Sequence, residues 1–189
     1  MKLYIIRHAH SVGNDLNIAD SISPEFDLGL SEKGKIQAEE IVSTLNAYQF
    51  DVIIVSPLKR TIDTITPYLN KLTNSKSNPV IIVNTLTLER NIGEFTGMKM
   101  GSMLEYCKQH GITDNVSFRP KGGESILDAY ERAKLFLIYL QKTFKDESVL
   151  VCGHKNFLTC LEIAITKENI MDFYSKKELF NGEIREFDI

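Results

Sequence analysis

The sequence has 189 residues, 43% of them hydrophobic, which is enough for one full core and suggests a single domain over residues 1–189. Its formal net charge of −3 argues against a general nucleic-acid surface, although a local cationic pocket can still take a small anion. Three cysteines, Cys107, Cys152 and Cys160, make no C-x-x-C pair, so neither a disulfide framework nor a thiolate zinc site is indicated, and they read as small buried hydrophobes.

The apolar run at the N-terminus is too short for a signal peptide and no stretch approaches a membrane span, so a cytoplasmic protein with no membrane partner is expected. Lys2 to Ile6 reads as a buried strand that runs straight into Arg7-His8-Ala9-His10. Residues 11–30, with Gly13, Asn14, Asn17, Pro24 and Gly29, read as a loop. Ser31 is a good N-cap for a helix running to about Ala47, with Glu32 in its first turn. Asp51-Val52-Ile53-Ile54-Val55 is a second strand, and its unbroken apolar run suits a parallel strand covered on both faces.

Ser56-Pro57 suggests the cap and first position of the next helix, which Pro67 should kink near its end. Residues 70–79 read as a polar surface loop, and Val80 to Val83 as strand three. Leu88 to Gly97 is a glycine-punctuated loop, Gly101 to His110 a short helix, and Gly111 to Gly123 mostly irregular. The longest helix is expected over Glu124 to about Thr143, followed by strand four at Ser148–Cys152 and a helix from Gly153-His154 to about Ile165. The tail, roughly 172–178 and 183–188 around Asn181-Gly182, suggests a hairpin. Strands alternate with helices throughout, which predicts a three-layer α/β/α sandwich with a mostly parallel central sheet.

Parallel strands bring their carboxyl ends to one edge, where open α/β sheets place their sites. Strand one ends in Arg7-His8, strand two leads to Arg60, and strand four ends at His154. Two imidazoles and two guanidiniums would then converge, which is costly unless an anion neutralises them; a phosphate does so well, helped by the helix N-termini after Ser56 and Gly153. One imidazole could attack phosphorus if it is deprotonated on the attacking nitrogen and oriented through the other. Glu89, which follows strand three, could give a proton to the leaving alkoxide. Each residue alone has a plainer use: a structural histidine at His8, a surface ion pair for Arg7, a solvated helix residue at Arg60, an ion pair with Arg90 or Arg60 for Glu89, a turn former at Asn14, a helix cap at His154.

The whole set resembles the histidine phosphatase superfamily, also called the phosphoglycerate-mutase-like family. Its Arg-His-Gly hallmark stands here as Arg7-His8-Ala9, with Asn14 downstream. Its Ser-Pro-Leu-x-Arg segment is Ser56-Pro57-Leu58-Lys59-Arg60, and its Glu-Arg-x-x-Gly-x-x-x-Gly stretch is Glu89-Arg90-Asn91-Ile92-Gly93-Glu94-Phe95-Thr96-Gly97. Gly123-Glu124-Ser125 and the second histidine, His154, follow in the family's order. The resemblance implies His8 as the phosphorylated nucleophile, Arg7, Arg60 and His154 holding the phosphoryl oxygens with Asn14 assisting, and Glu89 as proton donor. It implies no metal and no organic cofactor.

Three departures bear on the substrate. Ala9 replaces glycine and would be strained at positive φ. His10 stands where members often carry Glu or Gln, so it is a candidate substrate contact. Lys155 replaces a glycine after His154 and is a candidate for a second anionic group on the substrate. The leading expectation is a phosphatase acting on a small phosphorylated metabolite. Mutase-type phosphoryl transfer is the neighbouring reading, disfavoured by the compact middle segment and the absence of a C-terminal tail. A zinc metallohydrolase would use His8 and His10 with Asp20, His110 or His154, but Arg7 and Arg60 would repel the cation. A catalytically inactive phosphate-binding protein is a third reading. Specificity should lie in 15–27 and 94–121, whose Phe26, Phe95, Tyr106, Phe118, Met98, Met100 and Met103 are read as a minor core in preference to a substrate wall. A homodimer through a sheet edge or a helix face is left open.

Overall fold

The computed structural model describes residues 1–72 and 78–189. Five strands, β1 (Lys2–Arg7), β2 (Val52–Val55), β3 (Val80–Val83), β4 (Ser148–Gly153) and β5 (Ile184–Asp188), form one sheet in the order β3-β2-β4-β1-β5. The first four pair in parallel, and β5 runs antiparallel to β1. Side chains alternate across the sheet. Leu3, Ile5, Ile54, Val149 and Val151 pack beneath α5 (Ile126–Thr143) and α6 (Lys155–Thr166). Tyr4, Ile6, Ile53, Val55 and Cys152 face α2 (Glu32–Leu45) and α3 (Lys59–Leu72). The result is the expected three-layer α/β/α fold. β2 is buried at every position, whereas the equally apolar β3 lies at the sheet edge and is largely exposed.

Several boundaries differ from the sequence reading for local reasons. Ser31 caps α2 as expected, its Oγ accepting the Gly34 N–H at 3.1 Å. Ser56 does not cap α3. The helix starts at Lys59, and Asp27, from the loop before α2, accepts the backbone N–H groups of Lys59 and Arg60. The helix then runs on through Pro67 to Leu72. The loop expected over 70–79 lies outside the described residues at 73–77. The 11–30 segment contains a short helix, α1 (Val12–Leu16), closed by a capping box between Ser11 and Asn14. Five residues interrupted by Gly13 carry no apolar period that would announce it. Ser125 caps α5, which starts at Ile126 and not at Glu124. A further helix, α4, spans Ser102–Gln109.

The expected C-terminal hairpin does not form. Residues 170–175 make a 3₁₀ turn, and only β5 joins the sheet. The Asn-Gly turn folds back on the end of β1 instead: Gly182, at φ +74°, donates its N–H to the Arg7 carbonyl at 3.0 Å.

Candidate active site

Register brings the strand ends together. Arg7 lies opposite Gly153, and the His8 N–H donates to the Gly153 carbonyl at 3.0 Å. The rings of His8 and His154 are then 5.3 Å apart, centroid to centroid. His8 is buried, and its Nδ1 lies 2.7 Å from the Ala9 carbonyl oxygen. A carbonyl only accepts, so Nδ1 carries the proton and donates it, leaving the Nε2 lone pair free. Burial, then the nearby charges of Arg60 and Arg7, hold the His8 pKa well below the usual imidazole value. The ring is therefore neutral near pH 7, the state a nucleophile needs.

His154 is fully buried and is also held well below the usual value, by burial first and then by Arg60, His8 and Arg7. Its Nε2 meets the Ser56 hydroxyl at 2.8 Å, which explains why Ser56 does not cap α3. Arg7 donates to the Leu179 carbonyl at 2.9 Å and lies 3.6 Å from Glu178. Arg60 is fixed by Asp27 at 3.0 Å and by the Ser21 carbonyl at 2.8 Å. Ser21 holds a left-handed backbone at φ 51° and ties this knot to the Glu89 loop, donating to the Arg90 carbonyl and accepting from the Ile92 N–H. A non-glycine residue held there is a site of local strain, common at functional positions.

Glu89 sits at the N-terminus of α6. Its carboxylate accepts from the N–H groups of Arg90 at 2.7 Å and of Asn156 and Phe157 at 3.3 Å each. Arg132 steadies this loop from behind, donating to the carbonyls of Leu86, Leu88 and Glu89. Asn14 and Lys155 complete a cleft of about 210 Å³ that also exposes Arg7, His8, Arg60 and Glu89. Asn14 turns its Oδ1 to the Ser11 N–H and to Asn181, whose Nδ2 also donates to the His8 carbonyl at 2.8 Å. Lys155 pairs with Glu178 at the mouth, at 2.7 Å. Asp20 lies against Gly13 in the same cleft, bonded by the Ser11 hydroxyl, and burial pushes its carboxyl above the usual range.

One expectation is corrected. His10 does not line the cleft; its ring Nδ1 faces Ser31 at 3.2 Å and Asp15 at 3.3 Å, and its backbone N–H is held by Gln37. It acts as a latch between the β1 loop and α2. Ala9 is not strained, because the positive-φ non-glycine residues among those described are Asn17, Ser21 and Lys167, and its methyl packs in the core. The zinc set is not assembled: His110 stacks on Tyr106, and among the described residues no group of three or more His, Cys, Asp or Glu is placed to hold a metal ion. The cysteines are free and buried; burial pushes the Cys152 and Cys160 thiols up to about 12, so they remain protonated.

Sequence reasoning missed Asp27, Ser21, Asn181 and Arg132. Asp27 is separated from Arg60 by 33 residues, and nothing in its local sequence marks it. Asn181 is noticeable only as half of a turn dipeptide.

A neutral buried imidazole with a free Nε2, set among guanidiniums and a carboxylate, is an arrangement suited to phosphoryl transfer. The model of the histidine phosphatase superfamily (branch 1) matches residues 3–189. Phosphoserine phosphatase 1 of Hydrogenobacter thermophilus is 28% identical over 179 residues, covering 93% of this chain and 81% of its own. A 2,3-bisphosphoglycerate-dependent phosphoglycerate mutase of Rhizobium etli is 31% identical over 177 residues, covering 90% and 82%. A mycobacterial glucosyl-3-phosphoglycerate phosphatase solved with VO3 superposes with a TM-score of 0.80 at 21% identity, covering 98% of this chain and 91% of that one. The chain belongs to the histidine phosphatase superfamily, and phosphomonoester hydrolysis fits both its relatives and its site.

Proposed function

We propose that the chain hydrolyses phosphomonoesters by two displacements at phosphorus through a phosphohistidine on His8. Nε2 attacks phosphorus, the P–O bond to the leaving alcohol breaks, and Glu89 gives its proton to the departing oxygen. Water then attacks the phosphohistidine, the P–N bond breaks, and Glu89 takes back a proton as inorganic phosphate forms. Arg7, Arg60, His154 and Asn14 hold the phosphoryl oxygens, and stabilising the charge they gain is the main task in such a transfer. No step calls on a metal or organic cofactor.

One observation carries this reading. Among the described residues, only three buried side-chain polar atoms lack a hydrogen-bond partner, and two of them are Arg7 Nε and His154 Nδ1, both beside His8. With the Ser56 hydroxyl donating to Nε2, His154 Nδ1 is a donor. Unsatisfied buried donors are costly, and phosphoryl oxygens would satisfy both. The partner is then a small phosphorylated molecule, and the net charge of −3 weighs against nucleic acid. The unpaired cysteines support a reducing, cytoplasmic setting.

The test is a panel of phosphomonoesters assayed in chelator, with wild type and His8→Ala. Phosphate release that depends on His8 supports the proposal. Release that survives His8→Ala, or that requires added metal, refutes it. Mutase-type transfer is kept as a second reading because relatives at 30% and 31% identity are phosphoglycerate mutases. Supplying a phosphoglycerate separates the two, since hydrolysis yields free phosphate and mutase transfer yields the exchanged isomer.

A further inference from the structure

A second cavity of about 390 Å³ opens directly from the catalytic cleft. The two share Ala19, Arg90, Ile92 and Met100 as common walls, with Lys155 and Glu178 at the junction. A group esterified to a phosphoryl held at His8 has this outer space next to it. Its lining is mostly apolar: Phe95, Met100, Met103 and Leu104 on one side, Phe173 and Tyr174 on the other. The methionine-rich segment thus does not close into a minor core. Met100, Leu104 and Tyr174 remain 39%, 40% and 45% exposed around one opening. Large apolar side chains gathered at a cavity mouth are unfavourable in water unless something apolar covers them.

The charges at the rim narrow the choice. Lys155 pairs with Glu178, and Lys176 pairs with Glu162 and Glu168. Lys99 and Lys177 make no ion pair among the described residues. The rim carries surplus positive charge, which opposes a cationic leaving group.

We propose that the outer cavity seats the leaving group, and that the substrates are phosphomonoesters of bulky apolar or aromatic alcohols carrying no cation. The inference rests on the hydrolytic reading and specifies its substrate class. Polarisable methionines lining the pocket suit an apolar body of varied shape, and a cavity of this size is within the range of small-molecule sites.

The test compares ethyl phosphate with 3-phenylpropyl phosphate, two primary esters whose leaving alkoxides are of similar basicity, by phosphate release. The wild-type kcat/KM should favour the phenylpropyl ester by at least about tenfold, since buried methylenes and rings are worth that much in discrimination. Met103→Asp, and independently Leu104→Asp at a more exposed position, should each cut that preference by at least about tenfold. Two variants guard against a fold defect in either one. Equal or better use of ethyl phosphate by the wild type, or a preference unchanged in both variants, would overturn this inference alone. Release from neither ester would overturn it together with the hydrolytic reading.

Discussion

Replacing Asp27 by Ala should cost stability and activity together, although Asp27 is not itself a reacting group. Its carboxylate does two jobs: it caps α3 through the N–H groups of Lys59 and Arg60, and it pairs with the Arg60 guanidinium. Both side chains are nearly inaccessible, at 3% for Arg60 and 5% for Asp27. Loss of an N-cap costs about 1 kcal/mol. Removing one partner of a buried ion pair costs about 3–5 kcal/mol, because the other charge is left uncompensated. One carboxylate supplies both effects and Arg60 keeps its bond to the Ser21 carbonyl, so the sum is not additive, and about 4 kcal/mol is expected. For a chain of this length that lowers Tm by roughly 10 °C. Far-UV circular dichroism during urea and thermal unfolding reads the loss, and kcat/KM on a phosphomonoester should fall as Arg60 loses its fixed direction. Asp27→Asn keeps an acceptor and should lie between the two. If Asp27→Ala stays within about 1 kcal/mol of wild type, the buried pair does not organise the cleft as argued.

Glu89→Gln keeps the shape of the cap on α6 but cannot give a proton. Its kcat should fall by about 10²–10⁴ for alkyl phosphates and far less for p-nitrophenyl phosphate, whose leaving group needs no acid; equal losses on both would exclude Glu89 as proton donor. Stability should fall as pH drops below about 6.5, because the unfolded imidazoles bind protons that buried His8 and His154 refuse. Urea midpoints between pH 8 and 5.5 check this, and His8→Asn should flatten the slope; a wild-type midpoint that is constant or rises on acidification contradicts it. Gly34→Ala would place a Cβ 1.9 Å from the His10 carbonyl oxygen, with only backbone to yield. Unfolding should show a loss of about 1–3 kcal/mol, and kcat should drop because the segment carrying His8 must shift.

The layers of the fold were legible because the strands are short apolar runs and the helices carry caps such as Ser31. The candidate cluster was legible because parallel strands deliver their ends to one edge, so the meeting of Arg7, His8 and His154 follows almost directly from the strand assignments. What could not be read is whatever depends on contacts across the chain. Asp27 caps a helix 32 residues away, and Asn181 grips His8 from 173 residues away. The tail was misread for the same reason: an Asn-Gly turn says that the chain reverses, but not which surface it reverses onto. His10 looked like a site residue from its place in the family motif. In the loop after β1 the side chains no longer follow the strand's alternation, so its direction was set by Ser31 and Asp15 instead.

The most direct test is to trap the intermediate. The protein is mixed briefly with a radiolabelled phosphomonoester, quenched in alkali, digested and mapped. The phosphohistidine account predicts label on the peptide containing His8, stable to alkali and lost in acid, formed and decaying at least as fast as turnover and absent from His8→Ala. Full turnover with no label on His8, or label on another residue in a variant that lacks His8, would contradict it.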